Sequence, residues 1–109
     1  MSNLATKHDT VTRIAPPSDV YESEKDYLLV LDVPGADGSG IDVEVDKQVL
    51  KVTAKRAQAS ESSVYAREFH IPPGVDVDHI SANVKAGVLS VALPKRPEVR
   101  PRRINVEVH

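Results

Sequence analysis

Apolar residues recur at every second position along most of this chain, in short runs beginning near Ser18. In "IDVEVD", Ile41, Val43 and Val45 alternate with Asp42, Glu44 and Asp46. A period of two predicts a strand with one buried face, because successive side chains of an extended backbone point to opposite sides. The same phase carries Leu50, Val52 and Ala54 in "VLKVTAK", and Ile80, Ala82 and Val84 in "HISANVK". It carries Leu89, Val91 and Leu93 in "VLSVALP" as well. "VYAREFHI" places Tyr65, Arg67, Phe69 and Ile71 on one side, with His70 turned outward. Earlier in the chain, "DVYESE" and the nearly continuous apolar run "DYLLVLDVPG" add two strands, the second stopped by Pro34-Gly35. Between these runs, "ADGSG" reads as a loop, "KQ" as a tight turn, "PPG" as a stop and Ala86-Gly87 as a turn. Seven short strands punctuated in this way predict an all-β, immunoglobulin-like β-sandwich. No segment carries the apolar stripe of a three-turn helix.

Two tails flank the sandwich. Residues 1–17 are mixed and unpatterned and read as a short flexible arm, residues 18–95 as the sandwich, and residues 96–109 as an extended tail. The tail ends in "RRINVEVH", where Ile104, Val106 and Val108 alternate with Asn105, Glu107 and His109. That is the pattern of a half-buried strand, yet it follows the proline-stiffened "PKRPEVRP" and has no later segment to pair with. Those prolines cannot donate to a ladder and hold the chain extended, so the tail reaches away from its own body.

Charge sharpens this picture. The net charge of −2 is unevenly spread: residues 18–93 carry 7 Lys/Arg against 13 Asp/Glu, and residues 94–109 carry 5 against 2. An acidic body with a basic tail favours attraction between copies. It lacks the broad basic field of a nucleic-acid-binding protein. With one Phe, three Tyr and no Trp there is also no aromatic platform for stacked bases. There is no cysteine, so disulfides and thiolate metal sites are excluded. No apolar run reaches the ~18 residues of a membrane span, and the first ten residues lack a signal peptide's apolar core. A soluble, cytoplasmic chain without a membrane span is expected.

Candidate chemistry is sparse. His70 and His79 flank "IPPGVDVD", and Asp76 and Asp78 complete a metal site on paper, but the spacing is not diagnostic and surface histidines are the reading carried forward. "GADGSG" has the wrong glycine order for a dinucleotide cradle and leads into a strand rather than a helix. It also lacks the closing glutamate of a calcium loop, and no serine sits in a nucleophile elbow. No enzyme activity, cofactor or metal is expected. Arg67 stands out because it shares a face with Tyr65 and Phe69, where a charge needs a partner or an opening to water. It is either an exposed residue with its stem packed on a ring, or one half of an ion pair. The partner acid would lie inside the sandwich or across a subunit interface, and the interface reading is the one carried forward.

Four stretches in order resemble the α-crystallin domain of small heat shock proteins. "PPSDVYESEKDYLLVLDVPG" is similar to that family's opening strands. "NVKAGVLSVALPK" resembles its motif Asn-Gly-Val-Leu-Thr-Val-x-Val-Pro-Lys, with Ala86-Gly87 in the turn, Ser90 for Thr and Leu93 for Val. "AREFHIPPGVD" places Arg67 at the arginine that family members hold at a strand bordering the dimer interface, which implies an interface of Tyr65, Arg67 and Phe69. "RRINVEV" matches the family's Ile-x-Ile/Val tail motif at Ile104 and Val106.

The resemblance implies an ATP-independent holdase that binds unfolding client proteins, prevents their aggregation and assembles into homo-oligomers. It implies that the tail docks in a groove of another subunit, between "IDVEVD" and "HISANVK". Val43, Val45, Ala82 and Val84 would line that groove and receive Ile104 and Val106. The alternative is a co-chaperone or adaptor sandwich without holdase activity. Two features set this chain apart from the usual pattern. "KRAQASESSVY" is short for a loop carrying an exchanged strand, so dimers would pair edge to edge through "VYAREFHI" or form otherwise. The short arm without aromatics predicts smaller oligomers than typical shells.

Overall fold

A computed structural model describes residues 12–56 and 63–108 of the chain. Most of the 1–17 arm and of the connection 56–64 therefore lies outside the described residues, as do His8 and His109. The described residues form two four-stranded sheets packed face to face. In chain order the strands are β1 (Thr12–Ile14), β2 (Ser18–Glu22), β3 (Asp26–Asp32), β4 (Ala36–Asp46), β5 (Val49–Arg56), β6 (Ser63–His70), β7 (Ser81–Lys85) and β8 (Val88–Pro94). One sheet runs β1-β6-β5-β4 and the other β2-β3-β8-β7. This is the predicted all-β sandwich, with helix limited to single 3-10 turns at Val77–His79 and Pro97–Val99 among the described residues.

Alternation explains the core. Leu29 and Leu31 of β3 pair with Val91 and Leu89 of β8, and Leu50 and Ala54 of β5 pair with Phe69 and Tyr65 of β6. Paired residues share a face, so these rows point into the gap between the sheets. Leu31, Leu50, Val52, Leu89 and Val91 are almost wholly buried there. The turns carry backbone that their sequences tolerate: Lys47 and Gln48 both have positive φ, as do Ala86 and Gly87, as two-residue hairpin turns require. Gly87 is required for a second reason. A Cβ built on it would lie 3.1 Å from the Cα of Pro34, where the backbone of the Pro34-Gly35 stop passes close by. Val33 N–H donates to the Gly87 carbonyl at 2.7 Å and fixes that approach.

The structure departs from the sequence pattern in three places. "ADGSG" is not a loop but the first half of β4, which starts at Ala36 opposite Arg56 and carries an irregularity before Ile41 pairs with Ala54. Its glycines and the Asp37 side chain, which accepts from Ser39 N–H at 3.0 Å, let the strand bulge without ending. Thr12–Ile14, within the stretch read as an arm, is a strand paired in parallel with Ser63–Tyr65. Residues 101–108 form no strand, because a strand needs a neighbouring backbone and the tail leaves its own sandwich.

Candidate docking groove

Among the described residues, β4 and β7 are the last strands of their respective sheets, and their edges lie on the same flank of the sandwich. Between them is a hollow of about 330 Å³ bordered by Gly38, Ile41, Val43, Ala82, Asn83, Val84 and Leu89. Inward-facing apolar side chains of an edge strand have a neighbour on only one side, so part of their surface remains open. Val43 and Val84 are half-buried, and Ala82 is exposed. Three of the four residues expected to line a groove, Val43, Ala82 and Val84, therefore meet around one hollow. Val45 falls beyond its end and is 41% exposed. Pattern reasoning did not single out Ile41, Leu89 or Gly38 as lining residues. Ile41 and Leu89 share the inward phase, and their nearness to a sheet edge depends on strand order, which alternation does not encode.

The outer rim is charged. Asp42, Glu44 and Asp46 alternate along the solvent face of β4, with Lys51 of β5 opposite Glu44. The Glu44 carboxyl is pushed above its ordinary range, chiefly by a hydrogen bond and charge repulsion from Asp42. At the other end of β4, hydrogen bonds from Ser39 hold the Asp37 carboxylate below its ordinary range.

The root of the tail is fixed. Arg96 N–H donates to the Gly74 carbonyl at 2.8 Å, and Arg100 Nε donates to the Lys95 carbonyl at 2.9 Å. Lys95 itself reaches Glu22 at 2.8 Å and lies 4.9 Å above the Tyr27 ring. Val99 packs on Gly74 at 3.0 Å from where a Cβ would stand, a position with φ +93 that already favours glycine. Beyond Pro101 the chain stays in solvent: Ile104 is 82% exposed and Val106 83%. Among the described residues, the Ile104 and Val106 side chains are uncovered and the β4–β7 hollow is open.

Tyr65, Arg67 and Phe69 project from one face of β6, as alternation predicts, with Tyr65 in the core, Phe69 half-buried and Arg67 exposed at the margin. Tyr65 is buried in the core, and its hydroxyl donates to the Pro34 carbonyl at 2.8 Å. Phe69 is half-buried and packs against the same core. Arg67 lies 5.3 Å from the Phe69 ring centroid and donates to the Pro16 carbonyl at 3.0 Å and to Ser18 Oγ at 3.3 Å. Its partners within the chain are thus a carbonyl and a hydroxyl rather than a carboxylate. Pro16 is almost wholly buried, and Asp32 N–H donates to the Pro17 carbonyl at 3.0 Å, so Arg67 fastens the entry of β2 onto the body. Arg67→Ala is expected to raise the hydrogen-exchange rate of the Asp32 amide severalfold while leaving core amides of β8 protected. Unchanged exchange at Asp32 would show that other contacts hold this segment.

β1 covers β6 only along Ser63–Tyr65, so from Ala66 to His70 β6 is paired on one side, with β5, among the described residues. His79 is held by Asp76 at 2.8 Å, and no group of three or more metal-ligating side chains occurs among the described residues. No helix among them is long and apolar enough to cross a membrane.

Comparisons with known proteins agree with this fold. Residues 19–109 match the Hsp20/alpha crystallin family. The chain is 28% identical over 105 residues to small heat shock protein C4 of Rickettsia felis, covering 85% of this chain and 64% of that protein. It is 38% identical over 103 residues to spore protein SP21 of Stigmatella aurantiaca, covering 84% and 61%. It thus spans somewhat under two thirds of the length of either relative. A probable 15 kDa heat shock protein of Leptospira interrogans is 32% identical over 113 residues, covering 94% of this chain and 85% of its own. Among solved structures, a small heat-shock protein from Xylella fastidiosa superposes with a TM-score of 0.68 at 30% identity, covering 87% of this chain and 98% of that one. An open groove between two sheet edges, a basic tail carrying Ile104 and Val106, and a match running from residue 19 to residue 109 lead to one conclusion: this chain belongs to the Hsp20/alpha crystallin family.

Proposed function

We propose that this protein is an ATP-independent chaperone that holds unfolding proteins and self-assembles by docking the tail of one copy into the β4–β7 groove of another. The observation that carries this reading is the matched pair of uncovered surfaces within one chain. Among the described residues, Ile104 and Val106 stand in solvent, and a largely apolar hollow between two sheet-edge strands stands open beside Val43 and Val84. A second copy satisfies both, since an extended tail adds to a free edge through main-chain hydrogen bonds while alternate side chains enter the hollow. Release of a tail uncovers the hollow and two apolar knobs together, which supplies sticky surface for an unfolding client without any nucleotide chemistry. Exposed apolar residues on the second sheet, such as Val20 and Leu28, add to that surface.

The test is light scattering from a heat-labile client protein warmed with and without this chain. Suppression of the scattering is the expected result. No suppression at several-fold excess would favour an adaptor that binds partners without holding unfolded ones.

A further inference from the structure

We propose that the docked tail runs antiparallel to β4, with Arg103 at the acidic end of the groove and Glu107 at its basic end. This rests on the tail-in-groove reading and adds its direction. Hydrophobic contact alone does not choose one: knobs two residues apart, Ile104 and Val106, fit beside Ile41 and Val43 in either orientation. The alternate residues Arg103, Asn105 and Glu107 face the rim, where charge does choose.

In the antiparallel register, Ile104 lies beside Val43 and Val106 beside Ile41. Arg103 then falls beside Glu44 and Asn105 beside Asp42, and Glu107 falls beside Gly40. A Cβ on Gly40 would stand 3.3 Å from Lys55 Cβ, so that end of β4 adjoins a lysine. Across the groove, a Cβ on Gly38 would stand 4.0 Å from Val84 Cγ1, so Gly38 faces the hollow. Asp37 at this end is engaged by Ser39, and at the other end Lys51, opposite Glu44, offsets part of the acidic row without reversing it. The parallel register instead sets Glu107 beside Glu44 and Arg103 beside Lys55, two like-charge meetings.

The chain has no cysteine, which makes the direction measurable in full-length protein. Val108 lies one inward position past Val106. In the antiparallel tail it comes level with Ser39, next to Gly38, whose Cβ would face Val84 across the groove, and in the parallel tail it approaches Val45. Chains carrying Val108→Cys are mixed with chains carrying either Gly38→Cys or Val45→Cys, and disulfides between copies are quantified after air oxidation. The expected result is a severalfold excess of the 38–108 disulfide, reversed or abolished when Glu107→Lys is added to the tail chain. A dominant 45–108 disulfide, equal yields or no cross-link at either site would overturn the antiparallel assignment, as would a ratio that Glu107→Lys leaves unmoved. Whether docking itself has failed is read separately, from the assembly mass of the Ile104→Ala, Val106→Ala variant: a fall in mass keeps the docking reading and places the failure in its direction alone.

Discussion

Leu31→Ala is expected to lower the stability of the sandwich by about 2–5 kcal/mol, the range for deleting a fully buried leucine side chain without refilling its space. Leu31 has no exposed surface and sits opposite Leu89 near the end of β3, within the core cluster drawn from both sheets, so its neighbours cannot collapse inward from one side. For a domain of this size such a loss shifts the melting temperature by roughly 10 °C or more. Urea unfolding followed by circular dichroism measures it as a lower midpoint at an unchanged slope. Leu28→Ala is the internal control. Leu28 has the opposite phase on β3 and is 37% exposed, so its truncation removes fewer packed atoms and leaves no closed cavity. Equal losses for the two variants would mean that the sheets do not meet along the Leu29–Leu31 face.

That core was legible because alternation and burial are the same fact seen twice. Where both neighbours of a strand are other strands, as for β3, β5 and β8, every inward residue is covered and the period-two rows mark the core directly. The pattern failed where covering depends on something other than phase. β4 begins five residues before Ile41 because a bulge absorbs the glycines, which composition alone assigns to a loop. β1 is three exposed residues held by a parallel neighbour, and no apolar row announces it.

The groove was partly legible for a related reason. Val43, Ala82 and Val84 carry the inward phase, and resemblance to a family placed their two strands at the sheet edges. Phase does not say how far along an edge the hollow extends, so Val45 falls outside it while Ile41 and Leu89 border it. Arg67 shows the limit from the other side. Its place between Tyr65 and Phe69 was readable, but its acceptors, the Pro16 carbonyl and Ser18 Oγ, are about fifty residues away in the chain and follow from how β2 enters the second sheet.

Removing the tail's two knobs has the largest expected functional effect. Ile104→Ala combined with Val106→Ala is expected to lower the mass of the assembly measured by light scattering, down to the unit held by other contacts. Burying an isoleucine or valine side chain contributes ~1.5–3 kcal/mol at best, and ordering the docked segment offsets part of that, so one tail binds weakly. Truncating both side chains to Ala forfeits most of what the knobs contribute to each contact. Each ~1.4 kcal/mol lost is a tenfold change in the dissociation constant. In an assembly held by several tethered tails the losses multiply, because each docked tail raises the effective concentration of the others. The fold itself is unaffected, since both side chains stand in solvent within their own chain and none of the core rests on them. An unchanged mass alongside an unchanged melting curve would show that copies associate through other surfaces, with Ala66–His70 of β6, paired only with β5 among the described residues, the next edge to test.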